Sequence, residues 1–285
     1  MIHSDLLSPA KLKNILLSAN INPKKSLGQN FLIDRNIVNK VVSAADLSKN
    51  DLVIEVGAGL GVLTVPLASK AKTVVAYEID ARLLPILEEV TEQSNNVEVR
   101  GEDVLNFKFQ ILNFKTYKVV GNLPYYIAPR ILRLFLSESN PPESLVVIIQ
   151  QEVAQRICAQ PPQTSKLSLA VQFYGEPKII TTISRSFFWP MPNVDSALLK
   201  IVVKPDAGRQ AVEECFFALL KAGFASKRKL LISNLTNYLL KNRAQWEEIF
   251  LAAKLPVLAR AEQLSMEDWL RLAGEWKEMN IKNKN

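Results

Sequence analysis

Asp51-Leu52-Val53-Ile54-Glu55-Val56 runs directly into Gly57-Ala58-Gly59-Leu60-Gly61, and Leu63, Val65, Leu67 and Ala68 follow. The apolar run reads as a buried strand, and the spacing after the glycines reads as a helix. A glycine turn between a strand and a helix lets backbone come close to a ligand. The spacing narrows the choice of ligand. A dinucleotide fingerprint is G-x-G-x-x-G, and here Val62 stands where its third glycine would be. That spacing disfavours a dinucleotide oxidoreductase.

Outward from this turn the chain alternates. Lys72–Tyr77, Asn96–Arg100, Tyr117–Gly121, Leu145–Ile149, Ile179–Ile183 and Ala197–Val203 read as further strands. Helical patterns fall at residues 5–20, at Asp34–Leu47 with Asp34 as N-cap, and at Pro129–Leu136, Glu152–Ile157 and Leu167–Tyr174. Strand–helix alternation implies an α/β fold with a seven-stranded, mostly parallel, doubly wound sheet. The last two strands have no helix between them and are expected as an antiparallel edge pair. Residues 22–32 and 187–196 carry Pro, Gly and polar groups and read as loops. From Pro205 the pattern is helical only, so two domains are expected, 1–204 and a small all-helical 205–285. The polar tail Asn280–Asn285 is expected to be disordered.

The composition closes off several chemistries. The single histidine, His3, sits near the terminus. This argues against a Ser-His-Asp hydrolase, a His-x-Glu deaminase and a His-ligated metal site, and no metal is expected. Cys158 and Cys215 are the only cysteines, and so far apart they read as free thiols of a reducing compartment. There is no apolar run of about 18 residues and no signal core, so a cytoplasmic protein with no membrane partner is expected.

Net charge is +7, unevenly spread. Residues 1–50 carry seven Lys/Arg against three acids, and residues 200–245 carry nine against three, whereas the middle is mildly acidic. Clustered positive charge fits a polyanion such as RNA. Lys24, Lys25, Lys227, Arg228 and Lys229 are the candidate phosphate contacts. A solvated basic face on a soluble protein would look the same.

Candidate site residues cluster at strand ends. Asn122-Leu123-Pro124-Tyr125 follows the strand at 117–121 and suits a planar base with an exocyclic amine. The Asn122 side-chain carbonyl can accept one N–H, a backbone carbonyl beside the proline can accept the other, and the Tyr125 ring can stack on the base. A plain turn is the competing reading of these four residues. Glu78 ends the second strand, where an acid grips a ribose diol, and Asp80 is expected to cap the next helix. Asp103 can accept from an adenine amino group. Asn30 can hydrogen-bond a small ligand that Phe31 and Leu32 cover.

Glu55-Val56-Gly57-Ala58-Gly59-Leu60-Gly61 has the E-x-G-x-G-x-G pattern of S-adenosylmethionine methyltransferases. Three more stretches stand in family order with it: Lys25-Ser26-Leu27-Gly28-Gln29-Asn30-Phe31-Leu32, Asn122-Leu123-Pro124-Tyr125, and Phe188-Trp189-Pro190-Met191-Pro192-Asn193-Val194-Asp195-Ser196. Nearly end to end, the chain resembles the KsgA family of small-subunit ribosomal RNA adenine dimethyltransferases. The resemblance implies a Rossmann-like class I methyltransferase fold, S-adenosylmethionine as cofactor, and dimethylation of N6 on two adjacent adenosines in the 3′-terminal hairpin of 16S rRNA. Pre-30S particles would be the partner and the enzyme a monomer. Carried over by position, Asn30, Leu32, Gly57, Gly59, Glu78, Asp103 and Asn122 would contact the cofactor. Asn122, Leu123, Pro124 and Tyr125 would hold the base, with Phe188 facing Tyr125 across it. Ala128 departs from the Ser or Thr usual in the family. An Erm-type enzyme acting on large-subunit RNA, or a non-catalytic RNA- or DNA-binding factor on the same scaffold, remain alternatives.

Overall fold

The computed structural model describes residues 6–106, 116–204, 209–239 and 241–282. In chain order the elements are α1 (Pro9–Ser18), β1 (Phe31–Leu32), α2 (Arg35–Ala45), β2 (Leu52–Val56), α3 (Thr64–Lys70), β3 (Thr73–Tyr77), α4 (Leu84–Thr91), β4 (Val97–Arg100), β5 (Lys118–Asn122), α5 (Ala128–Leu136), β6 (Ser144–Gln150), α6 (Gln151–Ile157), α7 (Lys166–Tyr174), β7 (Gly175–Ile183), β8 (Phe188–Trp189), β9 (Ser196–Val203), α8 (Glu213–Gly223), α9 (Leu231–Tyr238), α10 (Arg243–Ala252) and α11 (Met266–Lys282).

Seven strands form one sheet in the order β4-β3-β2-β5-β6-β9-β7. β2 pairs in parallel with both β3 and β5, β3 with β4, and β5 with β6. β9 runs antiparallel to β6, with Leu145 opposite Ile201, and β7 lies beyond it at the edge. This is the class I methyltransferase fold. The order reverses between β2 and β5, and in open α/β sheets such a switch point is where ligands bind, outside the carboxyl ends of the strands. Close approach is built into that junction. An added Cβ at Gly121 would stand 2.4 Å from the Val56 carbonyl oxygen, so the strand tip tolerates only glycine without a backbone shift.

The central strands are mostly apolar because both faces of the sheet are covered, and Glu55 of β2 is the buried exception. β2 is buried at every position, and its Val53 packs into a core with Leu63, Leu67 and Val41. α2 starts where Asp34 Oδ1 accepts the Ile37 N–H at 2.9 Å, as its cap sequence implies. Ile37, Val38, Val41 and Ala45 make its buried face.

The loops at 22–32 and 187–196 hide a pairing that neither stretch announces. Phe31 and Leu32 form an antiparallel ladder with Trp189 and Phe188. Leu32 and Phe188 are thereby buried, at 3% and 2% exposure, in the same core as α1 and α2.

The chain divides into two compact units. One is the chain up to Ala154 with Pro177–Val203, and the other is Gln155–Glu176 with the chain from Lys204 onward. The second unit therefore takes in residues 155–176, which the expected boundary at 204 had left with the sheet. Its own core explains why: Leu169 and Phe173 of α7 pack with Phe216, Leu220, Trp246 and Trp269. Thr164 Oγ1 donates to the Glu262 carbonyl at 2.9 Å, joining the two stretches of this unit. α11 continues to Lys282, past the point where the tail was expected to lose order. Residues 283–285, His3 and Asp5 lie outside the described residues. No helix among the described residues is long and apolar enough to cross a membrane. Cys158 and Cys215 are not joined in a disulfide.

Candidate active site

The turn after β2 takes its shape from three glycines at positive φ, Gly57, Gly59 and Gly61. At Gly59 the φ of +59° disfavours L residues, although an added Cβ would make only ordinary contact with the Phe31 ring at 3.4 Å. The Gly59 N–H donates to Glu78 Oε2 at 2.8 Å. Glu78 stands at the tip of β3 and is 7% exposed. Its other oxygen accepts the Asp80 N–H at 2.8 Å. Burial raises the Glu78 carboxyl above its ordinary range, and these N–H groups pull it back.

Asp80 does not cap α4, whose first flanking residue is Leu83. It binds Arg82 instead, through Nε at 2.9 Å and Nη2 at 2.6 Å, and accepts from Gln29 Nε2 at 2.8 Å. The guanidinium holds the Asp80 carboxyl well below the usual carboxylate range. Gln29 also accepts the Lys24 N–H at 2.6 Å, so one amide ties the N-terminal loop to the tip of β3. Glu55, one residue before the end of β2, is 1% exposed and its Oε2 has no partner among the described residues. Burial pushes its carboxyl up to about 8, and the charge of Glu78 adds to the rise.

Asn122 is the last residue of β5. Its Nδ2 donates to the Asn30 carbonyl at 2.9 Å, and the Asn30 side chain in turn donates to the Gly28 carbonyl at 3.1 Å. Asn122 Oδ1 has no hydrogen-bond partner among the described residues. After it, the Pro124 carbonyl accepts from both Ile127 and Ala128 at 3.1 Å and starts α5. The Leu123 N–H goes to the Ile148 carbonyl at 3.0 Å, and no donor among the described residues takes the Leu123 carbonyl. Of the two backbone acceptors beside the proline, only Leu123's is therefore open. Ala128, where a hydroxyl is usual in the family, is 1% exposed, so α5 starts on backbone bonds alone.

A cleft of about 290 Å³ lies over the switch point. Asn30, Gly57, Gly59, Glu78, Asp103, Asn122 and Pro124 line it, as do Phe31 and three residues the sequence did not single out, Gln29, Ile79 and Tyr126. Only exposure marks the last two, 51% and 60%, and exposure has no signature in an apolar pattern. Asp103 uses Oδ1 for the Leu105 N–H at 2.9 Å. Four expected site residues do not line the cleft. Leu32, Leu123 and Phe188 are core residues. Tyr125 is held away from the cleft by a 2.7 Å hydrogen bond between its hydroxyl and Ser196 Oγ. No ring contact joins Tyr125 to Phe188 among the described residues. Lys24, Lys227, Arg228 and Lys229 are exposed, and the Lys25 side chain lies outside the described residues.

Residues 20–278 match the family Ribosomal RNA adenine dimethylase. Ribosomal RNA small subunit methyltransferase A of Geobacillus kaustophilus is 39% identical over 95% of this chain and 97% of its own. The protein of the same name from Bacillus pumilus is 40% identical over 95% and 97%. Among solved structures, the 23S rRNA methyltransferase ErmE superposes with a TM-score of 0.71 at 26% identity, covering 87% of this chain and all of that one. A dimethyladenosine transferase from Plasmodium falciparum shares the fold with a TM-score of 0.77 at 24% identity, over 87% and 98%. With the glycine turn, the acid-tipped β3 and the Asn122 corner on one switch point, the chain belongs to the ribosomal RNA adenine dimethylase family, and it is a methyltransferase.

Proposed function

We propose that this enzyme uses S-adenosylmethionine to dimethylate N6 of two adjacent adenosines in the 3′-terminal hairpin of small-subunit (16S) rRNA. It acts as a cytoplasmic monomer on pre-30S particles during ribosome biogenesis. The observation that carries the reading is the Asn122 corner. A side-chain carbonyl and a backbone carbonyl of consecutive residues, Asn122 Oδ1 and Leu123 O, take no donor among the described residues at the end of β5, and both are acceptors. Two acceptors match the two hydrogens of an adenine amine.

The residues present fit the cofactor. Its ribose diol needs acceptors, and Glu78 keeps lone pairs beyond the two N–H groups it receives. Its adenine amine can meet Asp103 Oδ2, since only Oδ1 serves the Leu105 N–H. Its positive charge suits a cleft lined by the carboxyls of Glu78, Glu102 and Asp103 against the single guanidinium of Arg130. Gly57, Gly59 and Asn30 supply close backbone and an amide, and Leu32 supports them from the core. When bound, the cofactor supplies an electrophilic methyl group.

The protein's task is the nucleophile. The N6 lone pair is delocalised into the ring. Hydrogen bonds from N6–H to Asn122 Oδ1 and Leu123 O raise electron density on nitrogen and fix its direction, an orientation effect that contributes several kcal/mol. Once methylated, N6 would release its proton to solvent, so no residue of the Asn122 corner is required as a general base. Pro124 lines the base site, and the target base leaves its stack in the hairpin loop to enter it. Lys24, Lys25, Lys227, Arg228 and Lys229 meet RNA phosphates.

Relatives named for the small subunit are 39% and 40% identical over 95% of the chain, against 26% for the 23S enzyme, which supports the small-subunit substrate. The test offers labelled S-adenosylmethionine with isolated small and large subunits lacking the modification. Label on small-subunit RNA alone agrees with the reading. Label on large-subunit RNA alone replaces it with the resistance-type activity.

A further inference from the structure

Tyr126 and Arg130 stand apart from the groups already given roles. Tyr126 is 60% exposed on the cleft lining, an unusual place for an aromatic ring that could have been buried. It follows Tyr125 but does the opposite. Tyr125 turns into the protein and is bonded to buried Ser196, whereas Tyr126 faces solvent at the mouth. The mouth supports it: a Cβ added at Gly28 would stand 3.6 Å from Tyr126 Cε1, so the ring edge lies against the Gly28 turn. Arg130 follows one turn later, where Ile131 N bonds the Ile127 carbonyl at 3.0 Å and α5 is under way. Tyr126 lies in the turn just before α5, and both residues line the one cleft. Arg130 is exposed, lines the same cleft, and makes no ion pair or side-chain hydrogen bond among the described residues.

We propose that Tyr126 and Arg130 form a second nucleotide subsite at the mouth of the cleft. The ring stacks on the base flanking the target adenosine, and the guanidinium meets a phosphate beside it. The inference rests on the proposed RNA substrate and deepens it. When one of two adjacent adenosines is unstacked into the cleft, its neighbour loses a stacking partner at the mouth. An exposed aromatic face replaces that partner, because every base has a π-face to offer. A guanidinium with no carboxylate to satisfy is left for a phosphate, which it can hold with two parallel hydrogen bonds. The pair also gives the enzyme a way to register on two neighbouring nucleotides in turn, since whichever adenosine is outside the cleft occupies the ring.

The experiment uses the full chain with Tyr126→Ala, Tyr126→Phe and Arg130→Gln. Unmethylated small subunits are the RNA and S-adenosylmethionine is titrated separately. Tyr126→Ala should raise KM for subunits about tenfold or more, the range expected when one base stack is removed. Tyr126→Phe should stay within about twofold of wild type, since the ring face is kept. Arg130→Gln should lower the slope of log affinity against log salt by about 0.7, the value for one phosphate of a single strand. Affinity for S-adenosylmethionine should be unchanged in all three. Weaker cofactor binding with unchanged KM for subunits would overturn the proposal and make the pair a cover for the cofactor. No change in either would overturn it too and make the pair an idle rim. Wild-type enzyme that methylates neither subunit would instead defeat the parent reading. Binding of single-stranded RNA by the same variants would then decide the subsite by itself.

Discussion

The Tyr125 hydroxyl and Ser196 Oγ lie 2.7 Å apart, and Ser196 is fully buried at the start of β9. The bond joins the corner after β5 to a strand 71 residues on and sets the angle of the Tyr125 ring. Burial also holds the phenol above its ordinary value, so it stays neutral and paired. Either Tyr125→Phe or Ser196→Ala leaves one buried hydroxyl without its partner, a cost of about 1–3 kcal/mol. The double variant removes both and should recover part of that loss. Thermal unfolding of the three variants reads the cycle, and strictly additive losses would mean the two groups are not coupled.

Gly121 tests the close packing of the switch point. In Gly121→Ala the new Cβ meets the Val56 carbonyl at 2.4 Å, a backbone atom that cannot rotate away. Destabilisation of about 1–3 kcal/mol is expected, as for other overpacked sites. Methyl transfer should fall further than stability does, because the shift moves Asn122 and the glycine turn together. A variant as stable and active as wild type would show that the strands have room to part.

Glu55 predicts a pH dependence of stability. Its carboxyl is raised from about 4.5 to about 8, chiefly by burial. Between those values the folded chain keeps a proton that the unfolded chain has released, so this group erodes stability as pH climbs from about 4.5 to about 8. Glu55→Gln removes the titration. Its melting temperature relative to wild type should therefore move in the variant's favour between about pH 5 and pH 8. Parallel curves for the two proteins over that range would mean that Glu55 titrates normally.

The basic turn after α8 is held from within its own unit. Asn234 Nδ2 donates to the Gly223 carbonyl at 2.7 Å and to the Ser226 carbonyl at 3.0 Å, and Lys229 N closes on Ser226 at 3.1 Å. Charge reversal at Lys227, Arg228 and Lys229 should weaken RNA binding and flatten its salt dependence by about 0.7–0.9 for each phosphate no longer neutralised. Asn234→Ala should weaken binding with little change in that slope, since it frees the turn and keeps the charges. Filter binding at several salt concentrations separates the two, and an unaltered slope in the charge-reversed protein removes the turn from the RNA footprint.

What could be read in advance was whatever repeats locally. β2, β3 and β5 declare themselves by short, mostly apolar runs, and Asp34 announces α2 by a cap three residues before its partner. The ladder of Phe31–Leu32 with Phe188–Trp189 could not be read, because two residues show no period and the partners are remote in the chain. That ladder is also why Leu32 and Phe188 proved to be core. Asp80 looked like a cap from its place before a helix, but its bonds run to Arg82 and, across 51 residues, to Gln29. Residues 155–176 followed a strand in sequence, yet the aromatic cluster around Phe173 binds them to the helical unit. That Asn122, Glu78 and Asp103 line the cleft could be anticipated because polar residues just past apolar strands are conspicuous, and Gly59 because of its glycine run.

In the proposed mechanism Asn122 Oδ1 holds the amine that receives the methyl group. The direct measurement is methyl transfer to unmodified small subunits by wild type and Asn122→Ala, with nucleotides identified by mass spectrometry and cofactor affinity measured alongside. Wild type should yield dimethyladenosine in the 3′-terminal hairpin. Asn122→Ala should lose about a hundredfold or more in turnover, as when one preorganised polar partner is removed from an active site, while still binding S-adenosylmethionine. Dimethyladenosine formed by Asn122→Ala at the wild-type rate would contradict the account.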